Sequence, residues 1–363
     1  MISISNSSRE GDGTSITISI AMATYNGAKY ISDQLETLAR QSLPPTELVV
    51  TDDGSTDGTL SILEAFSAVA PFPVRVFRNA TRLGYEENFL KAASLCTGDL
   101  IAFCDQDDLW MEQKLSLCSK YFADPTIEGV VHTGQILRDS GERGRFHPYF
   151  PRTRVLQPGE FDPFAESPGF AIIFRRNLLD LADSEGRHIR LKSHDHWCWL
   201  LASSAGRVVT VADVLVLYRQ HDANVFGVPT ARTLLTKIRA SPWAQQYNEE
   251  SDSESFCACI LEAAAERDPN RSSALRRSAR KLLYRSNLHK IRTSVYDREV
   301  SFFVRAIRFA RLLLLGGYFP DPSNARLGIG RGVKDLLLGV SGIYKLFDMT
   351  RPIREVNASS KME

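Results

Sequence analysis

The stretch IAFCDQDDLW, residues 101–110, has three carboxylates immediately after an apolar segment. Residues 101–104 have the composition of a buried strand, and Asp105, Asp107 and Asp108 follow within four positions. One interpretation is a helix N-terminus, where a carboxylate accepts backbone N–H bonds and complements the helix dipole. The other is a divalent-cation site, which uses one or two carboxylates together with substrate phosphates. Capping needs only one carboxylate, so the surplus favours the cation.

This strand belongs to a βα alternation that extends from Ile16 to Val209. Strand composition marks ITISIAMAT, ELVVTDD, VRVFR and DLIAFCD, and segments of helical periodicity lie between them. A further helix is predicted over LWMEQKLSLCSKYF, with Asp108 as its cap. The alternation predicts an α/β fold, a mostly parallel Rossmann-like sheet flanked by helices. Such sheets bind ligands beyond the carboxyl ends of their strands.

Polar clusters lie at three of these predicted strand ends: TYN (24–26), DDGSTD (52–57) and DQDD (105–108). Tyr25 could stack on a base, and the Asp pair at 52–53 could hold the polar edges of a nucleoside. A plain turn with a good helix cap is the alternative for the second cluster. None of the clusters is a GxGxxG or GxxxxGK[ST] loop, which excludes a Rossmann dehydrogenase and a P-loop enzyme.

Charge is distributed unevenly along the 363 residues, although the net charge is only +1. Residues 271–345 contain 16 Lys/Arg and 4 Asp/Glu, a net of about +12, which leaves about −11 elsewhere. Near-neutral net charge gives no whole-protein argument for nucleic-acid binding, and no nucleic-acid partner is expected. The six cysteines do not form a disulfide framework in a chain of this length, which indicates a reduced, cytoplasmic protein.

The predicted domain organisation has four parts. Residues 1–15 form a disordered lead-in without signal-peptide character, and residues 16–228 form the catalytic domain. Residues 229–347 form a helical basic region, and residues 348–363 form a flexible tail. The longest apolar run, FARLLLLGGYF, is too short to span a bilayer, so any membrane contact is expected to be peripheral, on the inner face.

Two basic segments, 274–292 and 302–319, combine Arg and Lys with Phe, Tyr and Leu at helical spacing. One interpretation is a helical subdomain with a solvated basic face. The other is an interfacial surface for anionic lipid, where a lipid-linked acceptor would be found.

The segment HDHWC, residues 194–198, has two competing interpretations. His194, His196 and Cys198 have the identities of zinc ligands, but alternate positions on a helix do not share a face. The apolar continuation WCWLL favours a helix, so zinc is rejected. Asp195 is then either a helix cap or a general base.

Three segments in combination resemble the family 2 glycosyltransferases, which have the GT-A fold. They are ISIAMATYNGAKYISDQLETLARQSLPPTELVVTDDGSTDGT (18–59), NATRLGYEENFLKAASLCTGDLIAFCDQDDLW (79–110) and YRQHDANVFG (218–227). The resemblance covers roughly residues 16–227. It is closest to bacterial rhamnosyltransferases that build O-antigen and other surface polysaccharides.

The resemblance implies a role for each matching position. Asp105 would contact the sugar nucleotide, and Asp107 would hold Mg²⁺ or Mn²⁺ on the donor diphosphate, with His221 reaching the metal or diphosphate. Asp195 would be the catalytic carboxylate. The remaining donor-binding positions are Thr24, Tyr25, Asn26 and Asp53 on the nucleotide and Asn79, Gly84 and Asn88 at the border of the site.

The expected function is metal-dependent glycosyl transfer with inversion. The expected donor is dTDP-L-rhamnose, and the acceptor is a lipid-linked or growing surface glycan. A UDP-hexose donor is the alternative within this class. A non-catalytic nucleotide- or glycan-binding module on the same scaffold is the alternative outside it, and a nucleotidyltransferase is disfavoured because AMATYNGAKY is not a Gly-rich, Arg/Lys-bearing loop.

Overall fold

A computed structural model describes residues 16–145, 150–160, 168–181, 193–221, 243–297, 299–318 and 331–342. The chain separates into two compact units, Met1–Val225 and Phe226–Glu363. The predicted lead-in 1–15, the tail 348–363 and residues 222–227 of the last matching segment lie outside the described residues.

A single mixed sheet organises the described part of the first unit. Its order is β3-β2-β1-β4-β9-β6-β10-β5, with β7 beside β6 and β8 beside β10. The strands are β1 (Ile18–Thr24), β2 (Glu47–Asp52), β3 (Val74–Arg78), β4 (Leu100–Cys104), β5 (Leu109–Trp110), β6 (Ile127–Arg138), β7 (Arg143–Arg145), β8 (Arg154–Leu156), β9 (Ile172–Arg175) and β10 (Arg207–Gln220).

Helices flank this sheet. They are α1 (Ile31–Ala39), α2 (Thr59–Ser67), α3 (Tyr85–Leu95), α4 (Lys114–Ser119) and α5 (His194–Ala205). Short 3₁₀ turns occupy Lys120–Ala123, Gly169–Ala171 and Arg176–Leu181. Helix α3 packs on β1 and β2, and α5 packs on β6, β9 and β10.

The predicted α/β fold is confirmed, and its parallel part coincides with the predicted strands. Strands β3, β2, β1 and β4 pair in parallel, whereas β9 is antiparallel to both β4 and β6. Strands β1, β2 and β4 are buried along their whole length, as parallel strands covered on both faces must be. The chain order reverses between β1 and β4, so a crevice is expected beyond the ends of these two strands.

The helix predicted from Leu109 was wrong at its start. Leu109 and Trp110 pair antiparallel with β10, and α4 begins only at Lys114. Asp108 therefore does not cap that helix. It is fully buried, and its Oδ1 accepts a hydrogen bond from the backbone N–H of Arg219 on β10, 3.1 Å away. Pairing with β10 takes the two residues after the carboxylates away from the helix.

The described part of the second unit is helical, as predicted for this region. It contains α6 (Trp243–Arg267), α7 (Ser272–Val295) and α8 (Phe302–Leu314), followed by a helical segment over 331–340 that ends in a π-helical turn, Asp335–Val340. Its core cluster consists of Tyr247, Val295, Tyr296, Leu312, Tyr318 and Val340.

A buried carboxylate, Asp335, ties these helices together. It accepts hydrogen bonds from the hydroxyls of Tyr247, Tyr296 and Tyr318 at 3.1, 2.7 and 2.9 Å. The Nε of Arg292 donates to the same carboxylate from 3.0 Å. Four donors on one fully buried group make the 335–340 turn depend on α6 and α7, because an unpaired charge at this depth would be costly.

Replacing Asp335 by Asn should destabilise the second unit by about 3–5 kcal/mol, because the Arg292 charge would stay buried without a counter-charge. The matched control is Asp297→Asn, which removes a half-exposed partner of Arg308 and should cost less than about 1 kcal/mol. Chemical denaturation followed by circular dichroism measures both costs. Equal costs for the two substitutions would contradict the role given to Asp335.

Candidate active site

Gln106 connects the ends of β1 and β4 across the expected crevice. Its Oε1 accepts a hydrogen bond from the backbone N–H of Tyr25 at 3.0 Å, and its Nε2 donates to the Tyr25 carbonyl at 3.1 Å. Its side chain also lies against Gly27, where an added Cβ would come within 2.3 Å of Oε1. The residue between the two predicted site carboxylates therefore fixes the backbone of the TYN segment.

Thr24 and Asn26 join the same segment to the loop after β2. The Thr24 hydroxyl donates to Asp52 at 3.0 Å. Asn26, in the left-handed conformation with φ 48°, donates its backbone N–H to the Ser55 hydroxyl at 2.9 Å. Its side-chain oxygen accepts from the Thr56 N–H, also at 2.9 Å. These contacts position the loop from within the protein, and they leave the half-exposed Tyr25 ring at the surface under the Arg82 guanidinium, 4.0 Å from its centroid.

Asp53 anchors the segment that leads into α3. It accepts hydrogen bonds from the side chain of Asn79 at 2.9 Å and from the backbone N–H groups of Leu83 and Gly84 at 2.7 and 2.8 Å. Burial raises the pKa of Asp53, but these bonds and the nearby Arg82 charge outweigh it, and the net pKa is lowered. An ionised carboxylate accepts about four hydrogen bonds, so one acceptor position remains for a ligand donor.

Asn79 and Asn88 lie behind Asp53. Asn79 donates to Asp53 and to the Asn88 side chain, and it accepts from Lys91 at 2.8 Å. Asn88 donates to the Thr51 carbonyl at 2.9 Å. Both amides are buried with their hydrogen bonds made to protein, so these two predicted donor-binding residues act through the carboxylate in front of them. Gly84 precedes α3 with φ 86°, a conformation that favours glycine.

Three carboxylates lie together at the end of β4. The pKa of Asp105 is raised to about 8, chiefly by burial and further by the neighbouring Asp107 and Asp195 charges, against the opposing charge of Lys114. Burial likewise raises the pKa of Asp107 and, to well above its usual range, that of Asp108. The Oδ2 atom of Asp108 is buried without a hydrogen-bond partner. The protein groups around the end of β4 therefore do not fully stabilise the ionised forms of these three carboxylates.

Basic side chains approach this cluster from two elements. On the β10 side, the Nε2 of His221 lies 2.9 Å from Asp107 Oδ2, and the Arg219 Nε donates to the Asp107 carbonyl at 3.0 Å. The His221 ring stacks on Tyr30, with centroids 4.4 Å apart. From α4, the buried Lys114 ammonium donates to the Phe170 carbonyl at 2.6 Å, and burial lowers its pKa to about 7. Arg219 also forms an ion pair with Asp33 at 2.9 Å, so the positive charge of Arg219 is shared between Asp33 and the carboxylate cluster.

The cluster fits a divalent cation bound jointly with a ligand. No group of three or more His, Cys, Asp or Glu side chains suited to a metal occurs within the described ranges. The protein would therefore supply Asp107 and the neighbouring His221, which matches a hard cation that takes few protein ligands and completes its shell with phosphate oxygens and water. The Asp108 oxygen without a hydrogen-bond partner and the raised pKa values of the carboxylates both fit a site at which a cation would bind.

Asp195 lies at the first turn of α5, close enough to Asp105 for its charge to raise the pKa of that carboxyl. It accepts hydrogen bonds from the backbone N–H groups of Gly169 and His196 at 3.0 and 2.8 Å, and from the Ser193 hydroxyl. Ser193 is the N-cap residue of α5, so Asp195 lies within the first turn and is not itself the cap. It also faces the same site as the β4 cluster.

The two histidines beside Asp195 do not form a zinc site. The His194 ring is buried and stacked on Phe89 at 4.1 Å, and burial lowers its pKa to about 4. The Nδ1 of His196 lies 2.8 Å from the Ser193 hydroxyl instead. The side chain of Cys198 is buried in the core.

The family model "Glycosyl transferase family 2" matches residues 19–181. The dTDP-rhamnosyl transferase RfbG of Shigella flexneri is 36% identical over 224 residues, which cover 57% of this chain and 73% of that protein. This chain is a family 2 glycosyltransferase. It is also 25% identical to the Uncharacterized glycosyltransferase alr2836 of Nostoc sp., with 57% of this chain and 66% of that protein covered. The chain thus spans less than two thirds of the length of some of its relatives.

The fold is also that of a solved family of structures. The crystal structure of S. aureus TarS 1-349 in complex with UDP-GlcNAc superposes with a TM-score of 0.53 at 18% identity and covers 92% of this chain and 91% of that one. The complex of TarS 1-349 with UDP gives a TM-score of 0.52. The expected GT-A fold is therefore confirmed.

Sequence reasoning missed several residues that contribute to this candidate site. They are Tyr30, Gln106, Lys114, Gly169, Phe170, Tyr218 and Arg219. Gln106 and Arg219 lie inside the motifs DQDD and YRQH, so their position was a usable signal. Tyr218 also belongs to YRQH, and Tyr30 lies in the matching segment 18–59. Lys114, Gly169 and Phe170 come from segments with no motif, and only the tertiary fold brings them to the site.

Gly27→Ala and Gln106→Ala should each cost roughly 1–2 kcal/mol of stability, because both break the two hydrogen bonds between Gln106 and Tyr25. The alanine at position 27 does so by displacing the glutamine side chain. The double substitution should cost no more than the larger single one, since the second change removes nothing further. Thermal denaturation of the four proteins measures the coupling.

Gly58→Ala is the matched control, because an added Cβ there meets only Ala28 at an ordinary 3.7 Å. That variant should stay within about 0.5 kcal/mol of the unmodified protein. Additive costs for positions 27 and 106 would show that the two residues act separately.

Proposed function

We propose that this family member is an inverting, metal-dependent glycosyltransferase that transfers a sugar from a nucleotide donor to a surface glycan. The observation that carries the proposal is that Asp195, ninety residues after Asp105 in sequence, lies close enough for its charge to raise the pKa of Asp105, which neighbours Asp107. A transferase must hold a departing diphosphate and deprotonate an acceptor hydroxyl. Two separate carboxylate groups around one crevice can divide these tasks.

The nucleotide is proposed to lie beyond the ends of β1 and β2. Tyr25 would stack on the base with its half-exposed ring, and Asp53 would use its remaining acceptor position on a base or ribose N–H or O–H. Thr24, Asn26, Asn79, Gly84 and Asn88 would act as positioning residues, since their contacts run to other protein groups.

The diphosphate is proposed to lie at the end of β4. When bound there, Mg²⁺ or Mn²⁺ would neutralise the leaving diphosphate as a Lewis acid. Asp107 and His221 would be its protein ligands, and Asp105 would contact the donor. Within the described residues the Asp105 carboxylate makes no hydrogen bond to protein, so it is available to a sugar hydroxyl.

Asp195 is proposed as the general base. Its carboxylate is held by Gly169, His196 and Ser193, so it is oriented before the acceptor arrives. A base that takes the acceptor proton while the hydroxyl attacks from the face opposite the diphosphate gives inversion in a single displacement. No covalent nucleophile is required.

The proposed donor is dTDP-L-rhamnose, and inversion would give an α-L-rhamnosidic linkage. The support is the 36% identity to a dTDP-rhamnosyl transferase. A UDP-hexose is the alternative donor, and the proposed acceptor is a lipid-linked or growing surface polysaccharide. Among the described helices, none is both long enough and apolar enough to cross a bilayer.

Asp195→Asn should lower the rate of transfer by about 10²–10⁴-fold, because the amide cannot accept the hydroxyl proton. Donor affinity should stay close to that of the unmodified protein, since the proposed donor contacts come from other residues. Nucleotide release measures the first quantity, and calorimetric titration of donor without acceptor measures the second.

Ser193→Ala is the matched control, because it removes a hydroxyl that donates to Asp195 and leaves the carboxylate in place. It should retain most of the activity. Near-normal turnover by Asp195→Asn, with unchanged thermal stability, would contradict the base assignment.

A donor screen with and without chelator tests the sugar and the metal together. Among dTDP-rhamnose, UDP-Gal, UDP-Glc, UDP-GlcNAc and GDP-mannose, the first should give the fastest nucleotide release. EDTA should abolish release, and added Mg²⁺ or Mn²⁺ should restore it, because without a cation between them the Asp107 carboxylate would repel the diphosphate. EDTA-insensitive turnover would contradict the role of Asp107, and turnover with only a UDP-sugar would contradict the donor.

A further inference from the structure

Helix α8 turns several large apolar side chains to solvent and one arginine to the interior. Phe303, Ile307 and Leu314 are 76%, 67% and 89% exposed, whereas Arg305 is 5% exposed. Large apolar side chains exposed singly are ordinary, but a contiguous set marks an interaction surface. The spacing 303, 307, 310, 314, with Ala310 as the fourth exposed member, places this set on one stripe of the helix.

The inward face of α8 explains why the stripe cannot turn inward. The Arg305 guanidinium donates to the carbonyls of Val300 and Val340 at 2.7 and 3.3 Å. Leu312 is fully buried in the core cluster of the second unit. Rotating the helix would strip these buried donors of their acceptors, which is costly. The exposed stripe is therefore a fixed feature of the fold.

Neighbouring elements extend the apolar surface. The Tyr284 hydroxyl of α7 donates to the Leu315 carbonyl just after α8, so the half-exposed Tyr284 and Leu283 lie beside the end of the stripe. The 335–340 turn packs against α8 and exposes Leu336 and Leu337. We call the combined surface, formed by α8, Leu283, Tyr284, Leu336 and Leu337, the α8 face.

Basic side chains accompany the α8 face, and acidic ones are missing from its helices. The segments Ser272–Val295 and Phe302–Leu314 contain no Asp or Glu. Arg277 and Arg280 are exposed two turns and one turn before Tyr284 on the same side of α7, and Arg311 is exposed on α8 itself. An apolar stripe flanked by arginines fits a surface that offers both hydrocarbon and negative charge.

We propose that the α8 face docks in the plane of an anionic lipid bilayer. The apolar stripe would enter the boundary between headgroups and acyl chains, and the exposed arginines would contact lipid phosphates. A second copy of the chain fits less well, because a symmetric contact would bring together two copies of a surface that carries Arg277, Arg280 and Arg311, with no acidic residue on α7 or α8 to pair with them. The surface belongs to the second unit and does not depend on the proposed transfer chemistry.

Vesicle sedimentation of the full chain, without donor or metal, tests this proposal. The protein should sediment with phosphatidylglycerol-containing vesicles and remain in the supernatant with pure phosphatidylcholine vesicles. Raising the salt from about 0.1 M to about 1 M should weaken binding, because salt screens exposed charges. The triple variant F303S/I307S/L314S should lower the partition coefficient at least about tenfold. The pair R277Q/R280Q should lower it on anionic vesicles alone.

Val69→Ser is the matched control, since Val69 of the first unit is 78% exposed and lies outside the α8 face. It should bind vesicles like the unmodified protein, and thermal denaturation should show all variants folded. Failure of the unmodified protein to bind anionic vesicles would overturn the proposal. Binding that survives the triple substitution would also overturn it. A salt-resistant oligomer that the triple substitution makes monomeric, without vesicle binding, would replace it with self-association.

Discussion

The constraint on which the first unit depends is the crowding of three carboxylates at one strand end, where Asp108 is fully buried and Asp105 and Asp107 are partly buried. Asp105, Asp107 and Asp108 follow β4 where the sheet reverses its order, and burial raises the pKa of all three. A fold tolerates such a cluster only if other elements bring donors and cations to it. Strand β10 does so with the Arg219 N–H and with His221 at its end, and α4 contributes the charge of Lys114. Under the proposed function, a cation bound with a diphosphate would supply the remaining positive charge.

Sequence periodicity predicted the parallel half of this arrangement because it is locally encoded. A strand buried on both faces must be apolar throughout, and β1, β2 and β4 are apolar enough to be recognised alone. The role of Asp108 could not be predicted in the same way. Its position before an apolar segment matches a helix cap, and only pairing of Leu109 and Trp110 with β10, more than a hundred residues later, turns it inward.

Matching a motif to a family identifies positions, but it does not separate the groups that face a ligand from those that hold them. Asn79 and Asn88 match donor-site positions, yet their side-chain amides already form hydrogen bonds with Asp53, Lys91 and the Thr51 carbonyl. Gln106 matches no chemical role and nevertheless fixes the backbone of Tyr25 through two hydrogen bonds. Polar groups with completed protein contacts shape the site. Those with spare acceptor capacity are the ones left to meet the substrate.

In the second unit, too, the sequence did not reveal the orientation of the side chains, here the side of a helix that is buried. Composition predicted a basic, amphipathic helical region, but it could not say which side of α8 would be buried. In the structure, the hydrogen bonds of Asp335 with Arg292 and three tyrosines fix the 335–340 turn. The Val340 carbonyl at the end of that turn then accepts a hydrogen bond from Arg305, which determines the buried side of α8. Once Arg305 faces inward, the helical period leaves Phe303, Ile307 and Leu314 outside. The inward arginine is stable because the interior supplies its hydrogen-bond acceptors, and the proposed bilayer would supply hydrocarbon to the outward phenylalanine.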